Sequence, residues 1–199
     1  MNYYWFLYNL IDESIYGAPY LGPASEWTNI PKGCGVIGPF DELTANEIVK
    51  DAYIHPNYYL VQTDKIIARP NILDLQLADA KQAKISEVTQ AYQAQLNSTF
   101  TSSATGTPLV YNFSPESQNL WKELSDAILA GYIPDTMFPM SITPANGTNA
   151  SHTKLQLQQI FGEITARKLS LYGKLQGMVT ANGSIMKAGT VDDVSAIHW

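Results

Sequence analysis

The sequence predicts an α+β fold: a small, aromatic-rich, β-containing module over residues 1–71, followed by a mainly α-helical domain over residues 74–199 with two long helices. Three observations carry this. Aromatic residues crowd the first 70 positions, from Tyr3, Tyr4, Trp5 and Phe6 to Tyr53, Tyr58 and Tyr59. At residue 74 the composition changes abruptly to DLQLADAKQAKISEVTQAYQAQL, and a second apolar stripe at helical spacing runs from residue 151 to 179.

In the first module, residues 3–10 and 58–68 are rich in Tyr, Ile, Leu and Val, the composition of strands. Thr63-Asp64-Lys65 breaks the second run into a hairpin. The stretch between them holds Gly17, Pro19, Gly22, Pro31, Gly33, Gly35, Gly38 and Pro39 and reads as loop, with Trp27 as a lid on the small sheet. One short helix starts at the capping-box pair Thr44 and Glu47, with Ile48 and Ala52 on one face. It stops at His55-Pro56, because a residue before proline avoids the helical region. Arg69-Pro70-Asn71 marks the boundary of the module.

In the second domain, Leu75, Ala78, Gln82, Ile85, Thr89, Tyr92 and Leu96 form a heptad seam. Gln82 and Thr89 weaken it, which leaves a bundle helix or an oligomer seam. Residues 97–113 read as a loop or hairpin turning at Gly106. Ser114-Pro115-Glu116 then opens a helix with Leu120, Leu124, Ala127 and Ile128 on its buried face and Gly131 as its C-terminal cap. Residues 132–153 look irregular, a length that marks functional or partner-dependent loops. The longest helix follows over 151–179, its stripe of Leu157, Ile160, Phe161, Ile164, Leu171, Leu175 and Met178 interrupted by Arg167 and Lys168. Asn182-Gly183 ends it, and 184–187 is read as extended. The chain closes on AGTVDDVSAIHW, where Thr190 and Asp193 have capping-box spacing and Val191, Val194 and Ile197 step by three. Ile197 and Trp199 are expected to be largely buried, as a docking element.

Composition limits the function. Charged residues make up only 15% of the chain, against a typical value of about 25%. So few charges defend poorly against association, so partner-covered surface and a merely polar surface are both open. The net charge of -6 argues against nucleic acid as a partner. No run is apolar enough to span a bilayer, and residues 3–8 lack the basic flank of a signal peptide, so no membrane partner and synthesis in a cytoplasm are expected. Cys34 is alone, so no intrachain disulfide forms. The sequons at Asn97, Asn146, Asn149 and Asn182 are what an Asn/Ser/Thr-rich chain produces by chance.

No motif brings chemistry. Gly33, Gly35 and Gly38 spell G-x-G-x-x-G, but Pro31-Lys32 precedes them, Pro39-Phe40 follows, and no acid lies near position 58, so they read as a Gly-rich turn. His55, His152 and His198 lack metal-ligand spacing. The acid pairs Asp12-Glu13, Asp41-Glu42 and Asp192-Asp193 imply no catalytic geometry, and Cys34 has no evident base. The expectation is a protein that is not an enzyme, with no catalytic residues, metal or cofactor. The surplus aromatics favour interfaces or sugar stacking, and the interface residues expected are Trp27, Tyr58, Tyr59, Ile197 and Trp199.

From about Lys81 onward the order of features resembles a family of bacteriophage tail-module proteins encoded near tail-fibre genes. It is carried by a long polar helix, the TGTPLVYNFSPESQ segment, a helix bearing Trp121, a second long helix, and the T-x-x-D…I-x-W pattern of AGTVDDVSAIHW. The N-terminal module resembles, more loosely, the aromatic β modules of tail-associated proteins, and the long polar loop at 142–153 departs from the family pattern. The resemblance implies a structural component of a phage tail at the tip, baseplate or tail-fibre attachment, located in the virion. Its implied partners are other tail proteins and a second copy of itself. Two rivals remain: a tail-fibre assembly chaperone absent from the mature virion, and a host-surface carbohydrate-binding module.

Overall fold

Aromatic and branched residues near the start of the chain form β1 (Tyr3–Asn9), the centre of an antiparallel sheet in the order β2 (Tyr20–Gly22), β1, β3 (Cys34–Asp41). The computed structural model describes residues 1–23 and 29–199, which divide into two compact units, Met1–Asp79 and Ala80–Trp199. The fold class is α+β.

In the first unit, Tyr4, Phe6 and Tyr8 face the core, while Trp5 and Leu7 are buried on the other side of the sheet. Gly33 lies in a turn at φ 86°, but the reading of Gly35 and Gly38 as part of a Gly-rich turn is corrected, because both lie in β3. Gly35 pairs with Tyr8, whose ring crosses so close that a Cβ would meet it at 2.5 Å. Between the pairs Tyr4–Phe40 and Phe6–Ile37, Trp5 opposes both Gly38 and Pro39, which is a β-bulge. Gly38 has φ 132°, and a Cβ there would lie 2.7 Å from the Tyr4 carbonyl oxygen. Pro39 is tolerated because β3 is an edge strand.

Helix α1 (Glu47–Ile54) is capped by Asn46, whose Oδ1 accepts from the Val49 N–H at 3.0 Å, and not by Thr44. Its buried face is Val49 and Ala52, and Ile48 is exposed. A 3₁₀ turn, Pro56–Tyr58, leads into the hairpin of β4 (Tyr59–Gln62) and β5 (Lys65–Ala68). Thr63 and Asp64 supply the two positive φ values of its turn. Helix α2 (Ile72–Leu96) packs Ile72 and Leu75 against this core. The division between the units therefore falls inside α2, at Asp79, and not at Arg69-Pro70-Asn71.

In the second unit, β6 (Phe100–Ser102) and β7 (Leu109–Tyr111) pair through a turn containing Gly106 at φ 88°. Helix α3 (Pro115–Leu129) is capped by Ser114, whose Oγ accepts from the Ser117 N–H at 3.3 Å. At its other end Gly131 is at φ 73°, Gly131 N–H donates to Ile128 O and Tyr132 N–H to Ala127 O, a Schellman closure. Trp121 and Ile128 are its buried residues, and Leu120, expected inside, is 65% exposed.

The segment 132–153 is more regular than its composition predicts. It holds a 3₁₀ turn, Asp135–Met137, and a hairpin of β8 (Met140–Ile142) and β9 (Ala150–His152). Thr153 and Gln156 then cap α4 (Lys154–Val179) reciprocally. Leu157, Ile160 and Ile164 share a core with Phe100, Tyr111, Phe113, Trp121 and Ile128. Further along, Leu175 joins Val88 and Ile185 in a second cluster. Arg167 of α4 donates to Gln95 O of α2, and Leu175 clusters with Val88, so the two long helices run antiparallel. The heptad seam expected on α2 is not the buried line: Val88 is fully buried, whereas Ala78, Gln82 and Thr89 are exposed. Residues 184–187, expected extended, form the short helix α5 (Ser184–Lys187), which inserts Ile185 into the second cluster. Helix α6 (Val191–Ser195) follows. Among the described residues no helix is long and apolar enough to cross a membrane.

Candidate functional site

The segment 188–199 docks within the second unit, and its pattern residues divide the work. Thr190 Oγ1 accepts from Asp193 N–H at 3.1 Å, and Asp193 Oδ2 accepts from Thr190 N–H at 3.0 Å and Gly189 N–H at 3.3 Å. This reciprocal cap holds a helix of five residues, too short to persist in water alone. Val194 is 2% exposed. Ile197 and Trp199 are half-buried against the Val88–Leu175–Ile185 cluster, less covered than expected. Trp199 Nε1 donates to Gln95 Oε1 at 2.8 Å. Its ring meets Tyr92 edge-on at 6.1 Å, and Lys174 Nζ lies 4.5 Å from the ring centroid. Lys81 Nζ, donating to Met186 O at 2.9 Å, ties α2 to the segment's approach. Val191 and His198 are exposed.

A cleft of about 280 Å³ opens elsewhere in the same unit, lined by Tyr111, Asn112, Ser117, Trp121, Ser141 and Thr143 together with apolar side chains of α3 and β8. No charged residue lines it. Behind it lies a buried polar pair. His152 Nδ1 is 2.8 Å from Ala150 O and so carries the proton, which leaves Nε2 to accept from Tyr111 Oη at 2.6 Å. Burial first, and then the Glu163 carboxylate, raises the Tyr111 pKa above its ordinary value. The pair ties β7 to β9. At 1% and 0% exposure neither member reaches solvent to act as an acid or base. The cleft can offer hydroxyl, amide and aromatic-edge contacts to an uncharged ligand.

The other expected interface residues fall differently. Tyr58 and Tyr59 are core residues, 8% and 5% exposed, and not free aromatic faces. Their rings complete the small core while each hydroxyl reaches a carboxylate: Tyr58 donates to Asp79 at 2.6 Å, and Tyr59 donates to Asp51. The bond to Asp79 and then burial push the Tyr58 pKa up to about 12. Burial and then the bond to Asp51 push Tyr59 up to about 12. Trp27 lies outside the described residues. His55 stacks on Tyr58 at 5.2 Å, and Cys34 is half-buried. Among the described residues no group of three or more His, Cys, Asp or Glu side chains could hold a metal ion.

Sequence reasoning missed the cleft because its lining comes from three separated segments. The only signal was the Ser/Thr/Asn-rich loop that supplies Ser141 and Thr143. Comparison with known protein families, with curated proteins and with solved structures finds no match for this chain.

Proposed function

We propose that the protein is a non-enzymatic structural component of a bacteriophage tail, at the tip, baseplate or tail-fibre attachment, working through contacts with other tail proteins. The observation that carries this reading is the 188–199 segment. Each residue of the T-x-x-D…I-x-W pattern that resembles the tail-module family has a physical task, Thr190 and Asp193 in the cap and Ile197 and Trp199 in the packing. Exposed large apolar side chains such as Leu129, Tyr132 and Leu155, at 75%, 83% and 77%, add support, because they suit contact with partners. Mass spectrometry of purified virions tests it: peptides of this chain at a fixed stoichiometry are expected. Their absence from virions, with abundance in the infected-cell lysate, favours an assembly chaperone instead.

The uncharged cleft favours a second reading, a host-surface carbohydrate-binding module. Titration with neutral host-surface oligosaccharides tests it. Binding that is lost in Asn112→Ala and Ser141→Ala supports it, and no heat at millimolar sugar excludes it.

A further inference from the structure

The sequence holds two Asn-Gly steps, Asn146-Gly147 and Asn182-Gly183. Such a step is reactive because glycine has no side chain to shield its backbone nitrogen, and its conformational freedom lets that nitrogen swing toward the side chain before it. When the nitrogen reaches the asparagine Cγ, a five-membered ring closes. The sequence gives the two steps equal standing, and the fold separates them.

Asn146 and Gly147 are both exposed, in the turn that joins β8 to β9. Gly147 is at φ 80°, and a Cβ built on it would meet nothing within 4 Å. Asn146 Oδ1 accepts from the Thr148 N–H at 3.2 Å, which bends the side chain toward the peptide that follows it. Gly147 N–H donates to Pro144 O at 3.0 Å, a turn bond at the surface that water can replace. Bringing Gly147 N to Asn146 Cγ therefore costs one exposed hydrogen bond, a small net term.

Asn182-Gly183 is held. Asn182 is exposed, but Gly183 is buried, and a Cβ on it would lie 2.5 Å from the carbonyl atoms of Met178 at the end of α4. Gly183 N–H donates to Thr180 O at 2.7 Å, and Gly183 O accepts from Lys187 N–H at 3.1 Å, which fixes the start of α5. That helix carries Ile185, 0% exposed, into the cluster with Val88 and Leu175. Turning Gly183 N toward Asn182 Cγ pulls on α5 and on its buried isoleucine.

We propose that Asn146 is a site of spontaneous modification in the folded protein, deamidation through a succinimide, and that the fold protects Asn182. Gly147 N gives its proton to water and attacks Asn146 Cγ. The new bond to Cγ forms, the bond from Cγ to Nδ2 breaks, and the side-chain nitrogen leaves as ammonia. Water then opens the ring. Opening at Cγ gives aspartate, and opening at the backbone carbonyl gives isoaspartate, with the chain rerouted through the side-chain carbon. The sum is asparagine and water to aspartate or isoaspartate and ammonia, with nothing oxidised or reduced. Either product puts a carboxylate among residues 136–153, which carry no Asp, Glu, Lys or Arg, and makes the chain one unit more negative than -6. The same segment supplies Ser141 and Thr143 to the uncharged cleft. The inference rests on neither functional reading.

Incubation of the full chain in mildly alkaline buffer made with H₂¹⁸O, followed over time by peptide mapping with mass spectrometry, tests it. Each event leaves one ¹⁸O on the residue, which separates it from aspartate already present. In the native chain the Asn146 peptide is expected to gain label at least tenfold faster than the Asn182 peptide. In denaturing urea the two rates are expected to come within about threefold of each other, because the steps then share one chemistry. Fragmentation is expected to find both aspartate and isoaspartate at position 146. Equal rates in the native chain, faster labelling at Asn182, a native ratio that persists in urea, or label found only as aspartate would each overturn the proposal.

Discussion

Tyr58 and Tyr59 show how a carboxylate can make a phenol part of the core. Each hydroxyl donates to an aspartate, and both pKa values stand at about 12 against an ordinary 10. A group whose folded pKa is raised contributes stability that is complete below its unfolded pKa and is lost as pH rises through the folded one. The first unit is therefore expected to lose stability between about pH 10 and 12. Denaturant midpoints over that range should fall in the parent chain and flatten in the double variant Tyr58→Phe, Tyr59→Phe. The Tyr111–His152 pair allows a sharper substitution. Tyr111→Phe removes the donor and leaves His152 Nε2 buried without a partner, at a cost of about 1–3 kcal/mol. Urea unfolding followed by tryptophan fluorescence would report it. Neither role was legible in the sequence. Tyr58 and Tyr59 read as surplus aromatics, because nothing in their neighbourhood names Asp79 or Asp51, and of His152 the sequence says only that it lacks metal-ligand spacing.

At the scale of elements, the caps were the most legible features. Ser114-Pro115-Glu116, Thr190 with Asp193 and the stop at His55-Pro56 are local signals, decided by residues that touch one another along the chain. The failures are equally physical. Strand β3 was hidden because Gly35, Gly38 and Pro39 have loop propensities. Glycine is needed at Gly35, where the Tyr8 ring crosses the strand, and at Gly38, where the Tyr4 carbonyl and the Trp5 ring come close, while Pro39 is tolerated on an edge strand. Thr44 has capping-box spacing to Glu47, but Asn46 sits at the actual first turn and Asn is at least as good an N-cap. The hairpin of β8 and β9 has only three residues per strand, too few for the alternation of Met140, Ser141 and Ile142 to announce it. Two substitutions check the caps and the docked segment. Ser114→Ala is expected to cost about 1 kcal/mol in the second unit. Trp199→Ala removes a half-buried ring and its bond to Gln95, and is expected to cost about 2 kcal/mol, below the roughly 3–5 of a fully buried tryptophan. An unchanged melting temperature in Trp199→Ala would show that the segment does not hold its unit together.

At the scale of the molecule, the chain carries separate cores in its two units, one around Phe6, Ala52 and Val61 and the others around Tyr111, Leu157 and Ile160 and around Val88 and Ile185. Two-state unfolding is therefore not expected. Calorimetry should resolve two transitions. Val61→Ala should lower only one of them and Ile160→Ala only the other, the latter by about 2–5 kcal/mol of unit stability. A single transition moved by both substitutions would show one cooperative block. The composition changes near residue 74, whereas the two compact units meet inside α2 at Asp79. That placement was not legible, because it depends on Ile72 and Leu75 packing backward onto the first unit.

The Val88–Leu175–Ile185 cluster also has a consequence for the order in which the protein can be made. Val88 leaves the ribosome roughly 90 residues before Leu175, an interval on the order of 5–18 s at 5–20 residues per second. During that interval the second half of α2 exists without the side chains that cover it. Ile85, Val88 and Tyr92 remain in contact with water, or with another nascent chain from the same message, until Leu175 and Ile185 arrive to cover them. Completion of the second unit thus waits on residues made long after Val88.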